Sequence, residues 1–398
     1  MLLNRPRAKT VLREKGLDAA VATTTENVTY LTDFRSIGHT FFGRSTFAIL
    51  PADDSIEPAL IVARGDTAAI SIHPSWVRDV RFYGKYDISL PADGAELTPP
   101  EAIARDYIEK SWGHSEPDAI SALVRCLEDR GLADKNVGID EGGFTPVSFE
   151  LFRKKVPRLK SSFASGTFKQ IRMIKTPEEI SKLRRAAQIA ERGMEAAAAE
   201  ARPGVAENEL AKIIYTAIIK NGGTAYFVNV HCGTKGSLCV REFTDYRIRE
   251  GDVVYLDVGA KYRWYCGDTG VTAVAGRPTD KVRKYQKAIV RGERDAIEEA
   301  KPGVKASDLY KKAIDGVRKN GIPHFNYHRA GHGIGLENSD LPAISAEDPT
   351  PLEKDMVLCV ETPYLELGLG GFQAEDTFLV KERGIEWFTS GNRELREA

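Results

Sequence analysis

The chain of 398 residues predicts an α+β fold in two domains, the second a duplication arranged about an approximate two-fold axis. Three observations carry the prediction. EARPGVAENEL (200–210) and EAKPGVKASDL (299–309) align without a gap at an offset of 99 positions, and Lys220-Asn221-Gly222 matches Lys319-Asn320-Gly321 at the same offset. Each copy is followed by an apolar hairpin with two carboxylates: VVYLDVG and CGDTGVTAV carry Asp257 and Asp268, while MVLCVE and FQAEDTFLV carry Glu361 and Glu375. Ahead of both copies, KKVPRLKSSFASG is polar, basic and rich in small residues, as a linker is. It places the boundary near Pro157 to Ser165 and gives domains 1–160 and 161–398.

In chain order, the first domain reads as α/β. The second opens with a helix start: Thr176 at the N-cap, Pro177 at the first helical position and Glu179 completing a capping box. Each repeat copy then gives a helix, a Pro-Gly break, a second helix and a hairpin of apolar, β-branched strands separated by turn glycines. Two such units would close one curved sheet around a central site, each donating two acids. With 42% hydrophobic residues the chain can fill substantial cores.

A single Asp or Glu usually caps a strand or pairs with a surface lysine. Four that converge in apolar strands could not all stay ionised without compensating cations, and a divalent metal answers that need. Between the hairpins lies GHGIG (331–335), whose glycines would let the backbone approach a ligand closely and leave the His332 imidazole unobstructed. Carboxylates with one imidazole suit Mn²⁺, Fe²⁺, Co²⁺ or Zn²⁺. Four carboxylates balance two divalent charges, and a metal pair that activates water is a common hydrolytic device.

The net charge of −1, without a long basic run, gives a nucleic-acid role no electrostatic footprint. Five scattered cysteines without a CxxC pair indicate a reduced, cytoplasmic setting. MLLNRPRAK has no apolar leader core, and no stretch approaches the roughly 18 residues that span a bilayer. Cys266 and Cys359, close to the acids, read as small buried hydrophobes because neither has a base nearby in sequence.

These features resemble the family of methionine aminopeptidase, aminopeptidase P, prolidase and creatinase, whose catalytic domain is the pita-bread fold. Gly16 to Val21 with Glu26 to Thr32 looks like the opening of a creatinase-type amino-terminal domain, and Arg172 to Ile180 like the entry to the catalytic one. The resemblance implies that Asp257 chelates one metal ion, His332 and Glu361 the other, and that Asp268 and Glu375 bridge both. It also implies that Glu361 passes the proton of a metal-activated water to the leaving group, and that His328, in HRAGH, faces the substrate. Tyr327 and His324 lie beside it; each reads equally as pocket or as structure.

Three positions depart from the peptidase pattern: Val240 and Ser339 stand where histidines are expected, and Gln373 where an arginine is. These changes put ordinary Xaa-Pro cleavage in doubt unless His231, as a replacement for the histidine missing at Val240, or His328 compensates. Phe41-Phe42-Gly43-Arg44 resembles the segment with which creatinases reach across a dimer to hold the substrate carboxylate, Arg44 supplying the fork and Phe42 the cover. Read without that likeness, TFFGRSTFAIL is an apolar strand with Arg44 at its edge. The resemblance thus implies a homodimeric metallohydrolase of C–N bonds acting on a short peptide or small carboxylated molecule. A metal-dependent lyase like the dimethylsulfoniopropionate lyases, with Tyr327 or Asp340 as base, and a non-catalytic binding protein are the alternatives.

Overall fold

The computed structural model describes residues 1–91, 95–111, 115–239 and 242–398. By its internal contacts the chain divides into two compact units, Met1–Arg172 and Met173–Ala398.

The first unit is built on a six-stranded sheet in the order Asp79–Tyr83, Ala59–Ala63, Phe47–Pro51, Ala19–Ala22, Asn136–Ile139, Lys160–Phe163. Phe47–Pro51 runs antiparallel to both neighbours, and the other pairs are parallel. Three of the four interior strands, AAVA, FAILP and ALIVA, are buried at every position, as continuous apolar strands with both faces covered should be. Lys160–Phe163 pairs with Asn136–Ile139, and Arg7 Nε donates to the Gln170 carbonyl at 3.0 Å, so residues 161–172 pack with this unit although the sequence boundary falls at 160.

In the second unit the two copies of the repeat take one conformation. Helices Pro177–Ala198 and Glu207–Lys220 in the first correspond to Asp280–Glu299 and Ala306–Asn320 in the second. Thr176 caps the first of these with the reciprocal Glu179 bond that its sequence predicts. Gly204 and Gly303, at the Pro-Gly breaks, have φ of 91° and 90°, in the left-handed region that glycine tolerates. Their amides donate to equivalent partners, the carbonyls of Ile248 and Leu352.

The helices cover a sheet in the order Asp340–Ala343, Gly331–Gly333, Val357–Glu361, Ala374–Val380, Tyr265–Val274, Val253–Tyr262, Thr224–Cys232. The two hairpins meet where Ala374–Val380 pairs with Tyr265–Val274, so the acids of both copies come together at the middle of the sheet. Ile189, Met194, Leu210 and Ile214 form a buried core with Val254 and Leu256 under the first half. Ala296, Leu309 and Ala313 do so with Leu358, Val360 and Phe378 under the second.

Candidate metal centre

Strand pairing sets the predicted donors in two adjacent rows. In the first, Asn229 faces Asp257, Asp257 faces Gly270, Gly270 faces Glu375, and Glu375 faces Glu361. Residues two apart on a strand share a face, so the next row lies alongside. There Asp268 faces Gly259, and Cys359 faces Thr377 on one side and His332 on the other. Thr377 Oγ1 donates to the Asp268 carbonyl at 2.7 Å and joins the two halves of this row.

His332 lies in the three-residue strand Gly331–Gly333. A Cβ on Gly331 would stand 2.1 Å from the Cys359 carbonyl oxygen, and one on Gly333 2.1 Å from that of Leu341. The glycines of GHG therefore serve the close approach of neighbouring strands, whereas the sequence reading has them admit a ligand. His332 Nδ1 is 3.0 Å from the Gly333 carbonyl, which assigns the ring proton to Nδ1 and leaves the Nε2 lone pair free, 3.7 Å from Asp268 Oδ2. Burial lowers the imidazole's pKa and keeps it neutral, the form a metal needs.

Neighbouring side chains orient the carboxylates. Asn229 Nδ2 and Tyr255 Oη donate to Asp257 Oδ2 at 3.1 and 3.3 Å, and Asn338 Nδ2 donates to Asp268 Oδ2 at 2.8 Å. Gln373, fully buried, places Nε2 3.4 Å from both Glu361 Oε2 and Glu375 Oε2. Asp268 Oδ1 and Glu361 Oε1 are buried without a hydrogen bond. Arg329 Nε is 3.3 Å from Glu361 Oε1, near enough for an ion pair, but its N–H does not point along that line. Behind the row, Arg393 donates from Nε to the Glu375 carbonyl and from Nη2 to Thr269 Oγ1, both at 2.7 Å, and pairs with Asp376 and Glu191.

Burial, reinforced by the neighbouring acids, pushes the carboxyls of Asp268 and Glu375 well above the usual carboxylate range. Four acids, one neutral imidazole and two orphaned acceptor oxygens form a donor set that a divalent cation fits and that bare carboxylates do not. Cys359 Sγ lies with one oxygen each of Asp268 and Glu375, all within 4.8 Å of one another. Burial raises this thiol's pKa far enough to keep it protonated, and Sγ rests 3.1 Å from Thr377 Oγ1, so it packs beside the oxygens as a neutral group.

His231 shares the face of Asn229. Its ring stacks on Tyr255 at 5.8 Å, and its Nε2 is buried without a partner. Tyr327 is half-buried, its phenol pushed to about 12 by burial and by Glu361; the exposed His328 leans on its ring at 4.6 Å. Ser339 is exposed, with Oγ 3.5 Å from Arg329 Nη1. His324 Nε2 bonds Tyr364 Oη at 2.8 Å, a structural role, and Asp340 Oδ1 accepts the Leu341 amide at 3.2 Å. In the first unit Phe42 ends helix Ile37–Phe42, which Gly43 closes at a φ of 62°, so this stretch is not the strand that its aromatic run suggests; Arg44 follows, exposed, with its amide on the Gly38 carbonyl. Val240 lies outside the described residues.

Sequence reasoning passes over Asn229, Tyr255, Asn338, Arg329 and Arg393. Asn229 and Tyr255 carry a usable signal, since Asn229 faces Asp257 once the strand register is set and Tyr255 precedes Asp257 by two on the same strand and so shares its face, and Arg329 stands inside HRAGH. Arg393 has no local signal.

The model of metallopeptidase family M24 matches residues 181–382, and that of the creatinase/prolidase N-terminal domain matches 5–174. The Xaa-Pro dipeptidase of Pyrococcus furiosus is 33% identical over 280 residues, 70% of this chain and 78% of that protein. Among solved structures, the prolidase of Pyrococcus horikoshii OT3 aligns with a TM-score of 0.79 at 23% identity, over 98% of this chain and 99% of the other. The N-terminal domain of the FACT complex subunit SPT16 from Cicer arietinum aligns at 0.71 and 16% identity, over 98% and 96%. At those identities the two structures speak for the fold alone.

Proposed function

The chain belongs to metallopeptidase family M24, with a creatinase/prolidase-type amino-terminal domain ahead of the catalytic one, and on that premise we propose that it hydrolyses C–N bonds in small carboxylated substrates or short peptides. The observation that carries this reading is the pair of rows that gathers Asp257, Asp268, His332, Glu361 and Glu375 on one face, with Asn229, Tyr255 and Asn338 bonded behind them. A scaffold kept only for binding would have no need of so complete a donor set, which argues against the non-catalytic alternative.

These five residues would hold two divalent ions, Mn²⁺, Fe²⁺, Co²⁺ or Zn²⁺. When bound, such ions supply a nucleophile at neutral pH and polarise the group under attack. The protein supplies the rest. Glu361, whose Oε1 is free of hydrogen bonds, takes the proton of the attacking water and returns it to the leaving nitrogen. Tyr327 keeps its proton and serves as a donor toward the electrophile, with His328 against it. The unpartnered Nε2 of His231 stands in for the histidine absent at Val240. Gln373 and Ser339 are neutral where charged donors would otherwise stand. Phe42 and Arg44, reaching across a homodimer, cover the far end of the substrate. Loss of one preorganised donor costs on the order of 10²–10³ in rate, so Xaa-Pro dipeptides should be poor substrates beside smaller carboxylated amides or amidines.

The experiment compares kcat/KM for Xaa-Pro dipeptides, creatine-like amidines and dimethylsulfoniopropionate after reconstitution with each metal. Efficient Xaa-Pro cleavage, at about 10⁴ M⁻¹s⁻¹ or above, would restore a plain peptidase. Release of dimethyl sulfide without any C–N hydrolysis would replace the reading with elimination.

A further inference from the structure

Arg329 lies three residues before His332, on the segment that leads into strand Gly331–Gly333. Its Nε is 3.3 Å from Glu361 Oε1, yet its side chain is 37% exposed while that of Glu361 is 9% exposed. The guanidinium therefore has one edge on the carboxylate cluster and the other in the open. Nη1 makes one long contact, 3.5 Å to Ser339 Oγ, and Nη2 has no partner among the described residues.

We infer that Arg329 anchors the substrate's carboxylate, so that the bond to be cleaved lies next to the carboxylate-bearing carbon. The inference rests on the reading of the chain as a C–N hydrolase. A planar fork with two free donors matches a carboxylate in bidentate geometry, which a lysine or a neutral amide cannot reproduce. Gln373, the other polar side chain between Glu361 and Glu375, is fully buried and its amide is spent on those two acids. Cations held by the five donors would balance their charge and free Arg329 of its claim on Glu361. An anion on the open edge of the guanidinium then sits one residue's length from Glu361 and the reacting bond. That geometry selects dipeptides and N-acyl amino acids and disfavours longer peptides, whose following residue would occupy the fork's space without a charge to give it.

The test measures binding independently of turnover. N-acetyl-L-proline and its methylamide are titrated calorimetrically into the full-length, Mn²⁺-reconstituted protein and its R329Q and R329K variants, with metal content determined on each sample. The wild type should bind the acid at least about tenfold more tightly than the amide, the scale of one charge-assisted pair. R329Q should abolish the preference at unchanged metal content; R329K, which keeps the charge and tolerates the same surroundings, should retain part of it. Absence of a preference in the wild type, its persistence in R329Q, or a fall of metal content in R329Q would overturn the assignment, the last by making Arg329 a charge partner of the ligands. An Arg329-dependent preference in a protein that cleaves no C–N bond would leave the anchor standing and remove the hydrolase reading. Cleavage of acid and amide substrates at equal efficiency would remove the anchor alone.

Discussion

Adding a divalent ion to the metal-free protein should expel protons. In the metal-free cluster burial pushes the carboxyls of Asp268 and Glu375 well above the carboxylate range, reinforced by Asp257 and Glu361 at Asp268 and by Asp268, Glu361 and Asp257 at Glu375, so the pair keeps its protons to a higher pH than free carboxylates do. His332 contributes none, because burial already keeps it neutral. Since the metal-free state binds more protons than the loaded one, metal affinity must rise with pH. Each proton released is worth about 1.4 kcal/mol per pH unit, so affinity should climb about tenfold per unit for one proton and about a hundredfold for two, until the empty pair ionises on its own. Glu375→Gln removes one titrating carboxyl, and should cut the release by about one proton per chain. Calorimetry with Mn²⁺ in two buffers of different ionisation enthalpy counts the protons directly. Affinity independent of pH, or a proton count that Glu375→Gln leaves unchanged, would show that the four acids do not share a desolvated site and would refute the reasoning.

Elemental analysis after reconstitution should find about two ions per chain, and Glu375→Ala should lose at least one; less than one equivalent with every metal would exclude a dinuclear centre. Glu179 is fully buried, and desolvation raises its pKa to about 7 despite Lys175 nearby. Its native pKa therefore exceeds its unfolded one, and stability should fall by about 3 kcal/mol as pH rises from about 4.5 to about 7. Urea midpoints across that range should show this component in the wild type and not in Glu179→Gln. Gly331→Ala places a methyl 2.1 Å from the Cys359 carbonyl at a φ of 138°, and should cost about 1–3 kcal/mol together with metal affinity, both read from thermal unfolding with and without Mn²⁺. Light scattering should return a dimer; a fully active monomer at micromolar concentration would exclude Arg44 as a contributor from a second copy.

What was legible in the sequence was what is local. The capping box at Thr176, the Pro-Gly breaks and the carboxylate-bearing hairpins each announce themselves within one short continuous stretch of chain, and the 99-residue offset links the two halves. The acids lie in line because antiparallel pairing turns two matched hairpins into two continuous rows. What escaped needed register or three dimensions. Asn229 meets Asp257 only through the pairing of Thr224–Cys232 with Val253–Tyr262, and Asn338 reaches Asp268 from 70 residues away. The aromatic pair Phe41-Phe42 invites a strand, but Ser36 Oγ caps the His39 amide at 2.8 Å and Gly43 closes the turn, so a six-residue helix prevails. The reason for the glycines of GHG lies in carbonyls of other strands, which no reading of GHGIG alone could supply.

The Arg393 clamp orders events during synthesis. It is fully buried, holds the Glu375 carbonyl and Thr269 at once, and follows Thr269 by 124 residues, while Arg396–Glu397 adds a parallel pairing to Tyr265–Val274. A growing chain that has made Asp257 and Asp268 has two like charges on an apolar hairpin, with Asn229 opposite Asp257 but no strand along the free edge of Tyr265–Val274 until Ala374–Val380 and then Arg393 have emerged. The first hairpin must therefore wait, incomplete, for the last, and any interruption of translation in between leaves a fragment with an exposed sheet edge and half a site. Cells making this protein would meet such fragments as clients of chaperones or proteases rather than as slow enzymes.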